Sequence, residues 1–409
     1  MSEHDRQSPS SLARLTASAF AGMFVFGIVM AILGAILPSL FARISMDKGQ
    51  AANLFLIMNF AMLLMSLFFG PIVDRFGYKL FLILCSLLVA LAFALLAGAS
   101  SYGLVILAAV VLGFGGGGLN GGTNTLTSDI NPGGRGSALN LLGVFFGFGA
   151  LSIPFLIGTL LGWAGLKNIL LLAALLGLVP LVLFLLSTFP RPKQAQGFPM
   201  RRAADIVHDP ILWLCAFILF FQSGNEFTLG GWISTYLHEV FGAPAMAASL
   251  VLAGYWAAVM VGRLAASRIV PRLKNETVVI ASAGLSLLAG VLLIAAPGRG
   301  WASAGAVLIG LGFAAIYPTT LAIAGEHFAA LSGTAFSLIF TVALSGGMLC
   351  PWLAGKIGQA SGLRQGLFIP VVNCLMIIIL MTVLARVLKK RRMLPGGSGS
   401  AGNATVDAL

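Results

Sequence analysis

The sequence predicts an all-α membrane protein of twelve transmembrane helices, arranged as two pseudo-symmetric six-helix bundles. Three observations carry that prediction. Of 409 residues, 59% are hydrophobic and 9% charged, far from the roughly 25% charged residues of a soluble globular domain. A helix crosses a bilayer in about 20 apolar residues, and twelve runs of that kind follow one another along the chain. One long polar connection, Phe189 to Pro210, separates six runs from six.

Taken in order, residues 1–15 form a polar N-terminal arm, and the apolar run after it is too long for the core of a cleavable signal peptide. The first bundle, 16–188, holds runs at 16–41, 51–71, 79–99, 102–127, 137–161 and 168–188. The linker 189–210 carries Arg191, Lys193, Arg201 and Arg202. The second bundle, 211–388, holds runs at 211–237, 245–268, 277–296, 301–325, 332–357 and 364–388, and a basic tail of linker-like composition occupies 389–409. Mean hydropathy is +1.01.

The formal charge of +12 does not indicate nucleic acid, because the basic residues sit in short loops and near the C-terminus rather than along one amphipathic face. With both termini on one side, that side collects 18 of the 24 Lys and Arg residues. The positive-inside bias therefore predicts a multi-pass protein with cytoplasmic termini, in a bacterial inner membrane. Cys85, Cys215, Cys350 and Cys374 lie within apolar runs at no metal-type spacing, so no metal or cofactor is expected. The architecture needs only one chain, which predicts a monomer surrounded by lipid.

Glu226, in the seventh run, is the residue hardest to explain as scaffold. A carboxylate at bilayer depth costs several kcal/mol and persists where it faces protein or water. Gln222, Asn225 and Glu226 stand at i, i+3 and i+4 and share a helix face. In the fourth run Asn120, Thr123, Asn124 and Thr127 form a polar stripe that would be wasted against lipid. Side-chain amides donate and accept at once, which suits vicinal hydroxyls; interhelical bonding is their alternative use. Asn140 in the fifth run reads the same way. Trp232 and Tyr317 offer an apolar face with a polar tip, as do Tyr236, Tyr255 and Trp256, although such residues also form interfacial belts. Pro154, Pro318, Pro351 and the glycines of the fourth run mark hinges or close-packing sites.

Between the second and third runs stands Gly70-Pro71-Ile72-Val73-Asp74-Arg75-Phe76-Gly77-Tyr78-Lys79, with a weaker echo at Gly262-Arg263, Arg268, Arg272 and Lys274 between the eighth and ninth. The loop resembles the signature of the major facilitator superfamily. Asn120 to Asn124, Asp129, Arg135 to Leu141, Phe146 to Ala150 with Pro154, and Asn225 through Leu237 resemble the fucose permease-type branch, which includes glucose/mannose:proton symporters. That resemblance implies sugar transport by rocking of two halves about a central site. It also implies a departure: aligned on Pro38 and Asn124, the positions of that branch's essential carboxylates hold Gly34 and Asn120. The proton site expected here is then Glu226.

Gly70, Asp74, Arg75, Gly77 and Lys79 are the expected loop residues, and Asp129, Arg135 and Glu326, with His327 nearby, the expected gate, pairing across the halves at the cytoplasmic face when the carrier faces outward; solvated helix-end charges are their alternative. His238 and Glu239 at the opposite face are expected to be solvated. Substrate contacts are expected from Asn120, Asn124, Asn140, Gln222, Asn225, Glu226, Trp232 and Tyr317. No Lys or Arg stands deep in helices 1, 4, 5, 7, 10 or 11, which favours a neutral or cationic solute over a carboxylate or phosphate. The leading expectation is proton-coupled symport of a neutral hexose such as glucose. A proton antiporter exporting lipophilic cations and a passive sugar uniporter are the alternatives. No nucleophile–base pair or metal ligand set lies within a helix, since His4, His208 and His238 fall at or beyond membrane edges and His327 ends a helix; an enzyme is not expected.

Overall fold

The computed structural model describes residues 9–131, 135–189, 206–269, 273–328 and 332–393. Among the described residues every regular element is a helix. The first four are α1 (Pro9–Arg43), α2 (Lys48–Phe76), α3 (Tyr78–Gly98) and α4 (Tyr102–Ile130). A helical stretch of 52 residues, Arg135–Leu186, follows. At about 1.5 Å per residue it would be more than twice as long as a ~30 Å hydrocarbon core. It breaks at Gly165, whose φ of 71° is left-handed and suits a residue without Cβ. The two limbs are α5 (135–164) and α6 (166–186).

After the connection come α7 (Pro210–Phe241), α8 (Ala245–Ile269), α9 (Asn275–Ala295), α10 (Arg299–His327, irregular at Ala314 and Ala315), α11 (Ser332–Ser361) and α12 (Phe368–Met393). Eleven described stretches are long and apolar enough to cross a membrane, and the one at Leu141–Leu186 holds two spans across the Gly165 break. The expected twelve crossings follow.

Local chemistry fixes several boundaries. The Asp47 carboxylate accepts from the Gln50 backbone N–H at 2.7 Å while Gln50 Oε1 accepts from the Asp47 N–H at 3.0 Å, a reciprocal cap on α2. Gly77 turns the chain from α2 into α3 at φ 80°, the tight turn expected of the loop pattern. Asp209 caps α7 through the Ile211 N–H at 2.9 Å, with Pro210 following at the first helical position.

The helices pack as two sets. In one, α1 lies along α4 and α5, α2 along α4, and α3 along α4 and α6; in the other, α7 lies along α8, α11 and α12, while α9 packs on α10 and α12. Equivalent pairs approach equally closely: a Cβ on Gly149 of α5 would collide with the Phe24 carbonyl of α1, and one on Gly346 of α11 with the Phe220 carbonyl of α7. The sets meet along α1–α7, α2–α11 and α5–α8.

Side-chain contacts identify the two ends of the bundle. Arg14 reaches the Leu186 carbonyl, and Asp209 meets His327 and Arg391, so the starts of α1 and α7 share an end with the finishes of α6, α10 and α12. At the far end Lys48 of α2 pairs with Glu239 of α7 at 3.0 Å. There, too, Trp352 Nε1 of α11 donates to Asn53 Oδ1 of α2 at 3.1 Å. One turn inward from Pro38, Gly34 abuts the Gly230 carbonyl of α7 so closely that no Cβ fits. The two sets are thus closed on each other at the far end. His238 and Glu239 are exposed, as expected, and each also has a partner: Glu239 holds Lys48, and the His238 ring bonds the Ala243 carbonyl at 2.7 Å.

Candidate functional site

Glu226 lies in the middle of α7, nearly five turns from the Asp209 cap, with its side chain 11% exposed. Its surroundings offset the cost of burying a charge. Gln222 Nε2, one turn earlier, donates to Glu226 Oε1 at 3.0 Å and also to the Phe313 carbonyl of α10 at 3.3 Å. Arg263 of α8 brings Nη2 to 3.8 Å from the same carboxylate oxygen. At that separation the contact is one of charge rather than a hydrogen bond. It compensates the carboxylate, and removing Arg263, whose side chain is one-third exposed, would leave Glu226 without a cation in its buried position.

Tyr255 of α8 and Tyr317 of α10 lie within electrostatic reach of both Glu226 and Arg263. The Tyr317 hydroxyl lies near Ser223, and its ring stacks on Phe340 with an interplanar angle of 12°. Trp256 sits beside Tyr255, ring centroids 5.1 Å apart, and shares a small cavity with Glu226. Met30, Phe55 and Met58 of α1 and α2 face Glu226, Phe227 and Trp256 across that cavity, so it lies between the two helix sets. Its volume is about 10 Å³, room for about one water and not for a hexose.

Other expected residues stand elsewhere. Asn225 turns to α12, where its Nδ2 meets Cys374 Sγ at 3.6 Å. Trp232 is fully buried, its Nε1 donating to the Pro351 carbonyl at 2.8 Å and its ring 5.6 Å from Phe55, as part of the far-end packing. Asn124 Nδ2 bonds the Asn120 carbonyl and Asn120 Oδ1 at 2.9 and 3.0 Å, and Thr123 bonds the Leu119 carbonyl, so these three members of the α4 stripe bond locally, while buried Thr127 Oγ1 has no partner among the described residues. Both asparagines remain partly exposed.

Of the expected gate, Asp129 Oδ2 accepts from the Tyr78 hydroxyl at 2.8 Å, within one set. His327 joins Asp209 and Arg391, within the other, and Glu326 is exposed. Lys79 Nζ donates to the Ser187 carbonyl at 3.2 Å. Gly70, Asp74, Arg75, Arg135 and Asn140 lie outside the residues whose side chains are described, as do Arg268 and Arg272.

Sequence reasoning missed two residues. Asp209, visible as an acid directly before a proline at a helix start, organises the termini end of α7. Arg263 was grouped with the basic loop after α8, but it stands six residues before that helix ends and reaches Glu226. The expectation of no cation deep in α1, α4, α5, α7, α10 or α11 left α8 out, and α8 supplies it. Trp256 and Arg263 are two turns apart on one face of α8, the spacing that signals it.

Comparison with known proteins agrees with this architecture. A 31% identical stretch of 159 residues matches the uncharacterized transporter y4wD of Sinorhizobium fredii, covering 39% of this chain and 42% of that relative's length. The probable nitrate/nitrite transporter NarK2 of Mycobacterium tuberculosis is 26% identical over 298 residues, 70% of this chain and 74% of the relative. Among solved structures, a bacterial homolog of the human lysosomal transporter Spinster, inward-facing and occupied, superposes with a TM-score of 0.78 at 15% identity, covering 95% of this chain and 100% of that one. The fucose:proton symporter of E. coli gives 0.62 at 18% identity, covering 91% and 99%. At these identities the structural likeness speaks for the fold alone. The Major Facilitator Superfamily model matches residues 19–351; the chain belongs to that superfamily and is a multi-pass membrane transporter, not an enzyme.

Proposed function

We propose that the chain carries a small sugar-type solute, a hexose or close derivative, across a bacterial inner membrane in company with a proton. Glu226 is the proton site, and the bundles 16–188 and 211–388 rock against each other with both termini in the cytoplasm. The observation that carries this reading is the position of Glu226: a buried carboxylate on the seam between the two helix sets, within reach of a cation and of two tyrosines.

A proton landing on Glu226 weakens its hold on Arg263 and changes the electrostatics of the seam, which is how protonation would bias a two-state carrier. With room for about one water, the seam must part to admit a solute, so binding and rocking are one event. Partly exposed Asn120 and Asn124, and Tyr317, are the groups we assign to the solute's hydroxyls once the seam is open. The fold shared with a fucose:proton symporter accommodates that class of solute. Arg263 counts against export of lipophilic cations, because its guanidinium cancels the charge that such a solute would seek.

The test is uptake of labelled hexoses into proteoliposomes, with and without an inward proton gradient, for wild type and Glu226→Gln. Gradient-driven accumulation by wild type, with only exchange or equilibration by the variant, is the expected result. Equal, gradient-independent flux by both proteins would make the carrier a uniporter and Glu226 structural.

A further inference from the structure

Around the Glu226–Arg263 pair, four buried polar atoms have no hydrogen-bond partner: Gln222 Oε1, Tyr255 Oη, Trp256 Nε1 and Arg263 Nε. Gln222, Tyr255 and Trp256 are each at most 3% exposed. A stranded buried polar group costs about 1–3 kcal/mol, so four at one place are better explained by a ligand they serve than by packing. Three of the four donate, and one of those is on a cation. Only Gln222 Oε1 is confined to accepting.

From this donor excess we infer that the site takes an oxyanion, and that the solute is a hydroxy-carboxylate of the sugar-acid class. Arg263, Tyr255 and Trp256 hold the carboxylate, and Gln222 Oε1 accepts from the adjacent hydroxyl. The proposal rests on the sugar-type reading above and specifies the charge of the solute.

The charges balance only with a proton. With Glu226 ionised, Arg263 is already compensated, and an anion would meet a carboxylate beside its subsite. When Glu226 takes up a proton, Arg263 is left with an uncompensated charge that the solute's carboxylate neutralises. One proton and one monovalent anion then move together with no net charge. The groups facing Glu226 are Arg263 and Tyr255 of α8 and Tyr317 of α10, while α1 and α2 contribute Met30, Phe55 and Met58, which do not titrate. Glu226 is the acid among these described groups, so the pH dependence belongs to it.

Calorimetric titration of the purified carrier with gluconate, glucose and lactate tests this without requiring transport. Lactate is the same hydroxy-acid head without the sugar chain. Wild type binds gluconate more tightly than glucose, and more tightly as pH falls. In Glu226→Gln that pH dependence disappears and gluconate affinity stays at its low-pH level. Arg263→Gln weakens gluconate about tenfold or more, the range for losing a charged hydrogen-bond partner. Tyr255→Phe, which keeps every charge, weakens gluconate severalfold and more than it weakens glucose, so the proposal does not depend on Arg263→Gln folding. Glucose binding with no gluconate binding overturns the oxyanion subsite and leaves the sugar reading standing. Lactate binding that depends on Arg263, with neither hexose derivative bound, keeps the subsite and overturns the sugar reading; binding of none of the three overturns both.

Discussion

At the scale of single residues, Gly34 explains the departure from the branch the sequence resembles. Where fucose permease-type carriers are expected to place a carboxylate, α1 here touches the Gly230 carbonyl of α7, and no side chain fits. A residue with a Cβ would have to push backbone, which does not yield as a flexible side chain does. Gly34→Val should therefore cost about 1–3 kcal/mol in the far-end-closed state, the usual range for overpacking, read as a lowered melting temperature in detergent. An unchanged melting temperature would mean that α1 and α7 do not meet there. Glu226 was legible in the sequence because a lone acid in an apolar run has few explanations. Asn225 shares its helical face in a projection, yet it turns to Cys374, because a wheel does not say which neighbour each edge of the face meets. Arg263 was hidden for another reason: it lies inside the eighth run, nearly two turns before the helix ends, but its match to the loop pattern grouped it with the basic residues that follow.

At the scale of elements, the start of α7 is held by Asp209, which caps the helix and binds His327 of α10 and Arg391 of α12 at 3.1 and 2.9 Å. Burial by itself would raise this carboxyl's pKa. The Ile211 N–H, then Arg391 and His327, outweigh burial and hold it below the ordinary 3.8. A carboxyl with a lowered folded pKa stabilises above its unfolded value and loses that contribution as pH falls through the folded one. Asp209→Ala should thus be less stable than wild type by about 1 kcal/mol or more, a gap constant from neutral pH to about 5 and closing below about 4. A melting-temperature gap that persists undiminished below pH 4 would assign the effect to something other than the Asp209 carboxylate. Helix existence and order were readable from runs of apolar residues. The break at Gly165 was readable too, because no single span accommodates so long a stretch. The three-helix knot at Asp209 was not, since nothing local to α7 says that the ends of α10 and α12 arrive beside it.

For the whole molecule, the rocking we propose makes the far-end seam the contact that must part for the carrier to face the other way, and its ties can be tested one at a time. Lys48–Glu239 joins the two helix sets at 3.0 Å with both side chains about a quarter to a third exposed. An exposed pair is worth about 0.2–1 kcal/mol, so its loss should shift the balance between closed and open seam by up to about fivefold. Buried Phe55, next to Trp232, reports that opening, and the four native cysteines are buried and give little background. In a Phe55→Cys background, Lys48→Glu and Glu239→Lys should each raise labelling by a membrane-impermeant maleimide about two- to fivefold. The double charge swap should return labelling to the parent level. High salt should raise labelling of the parent and lower that of the single variants, because it screens the attraction in the one and the like-charge repulsion in the others. If the swap labels like the single variants, the pair is incidental and closure rests on Trp352–Asn53 and the Gly34–Gly230 contact, neither of which salt would loosen.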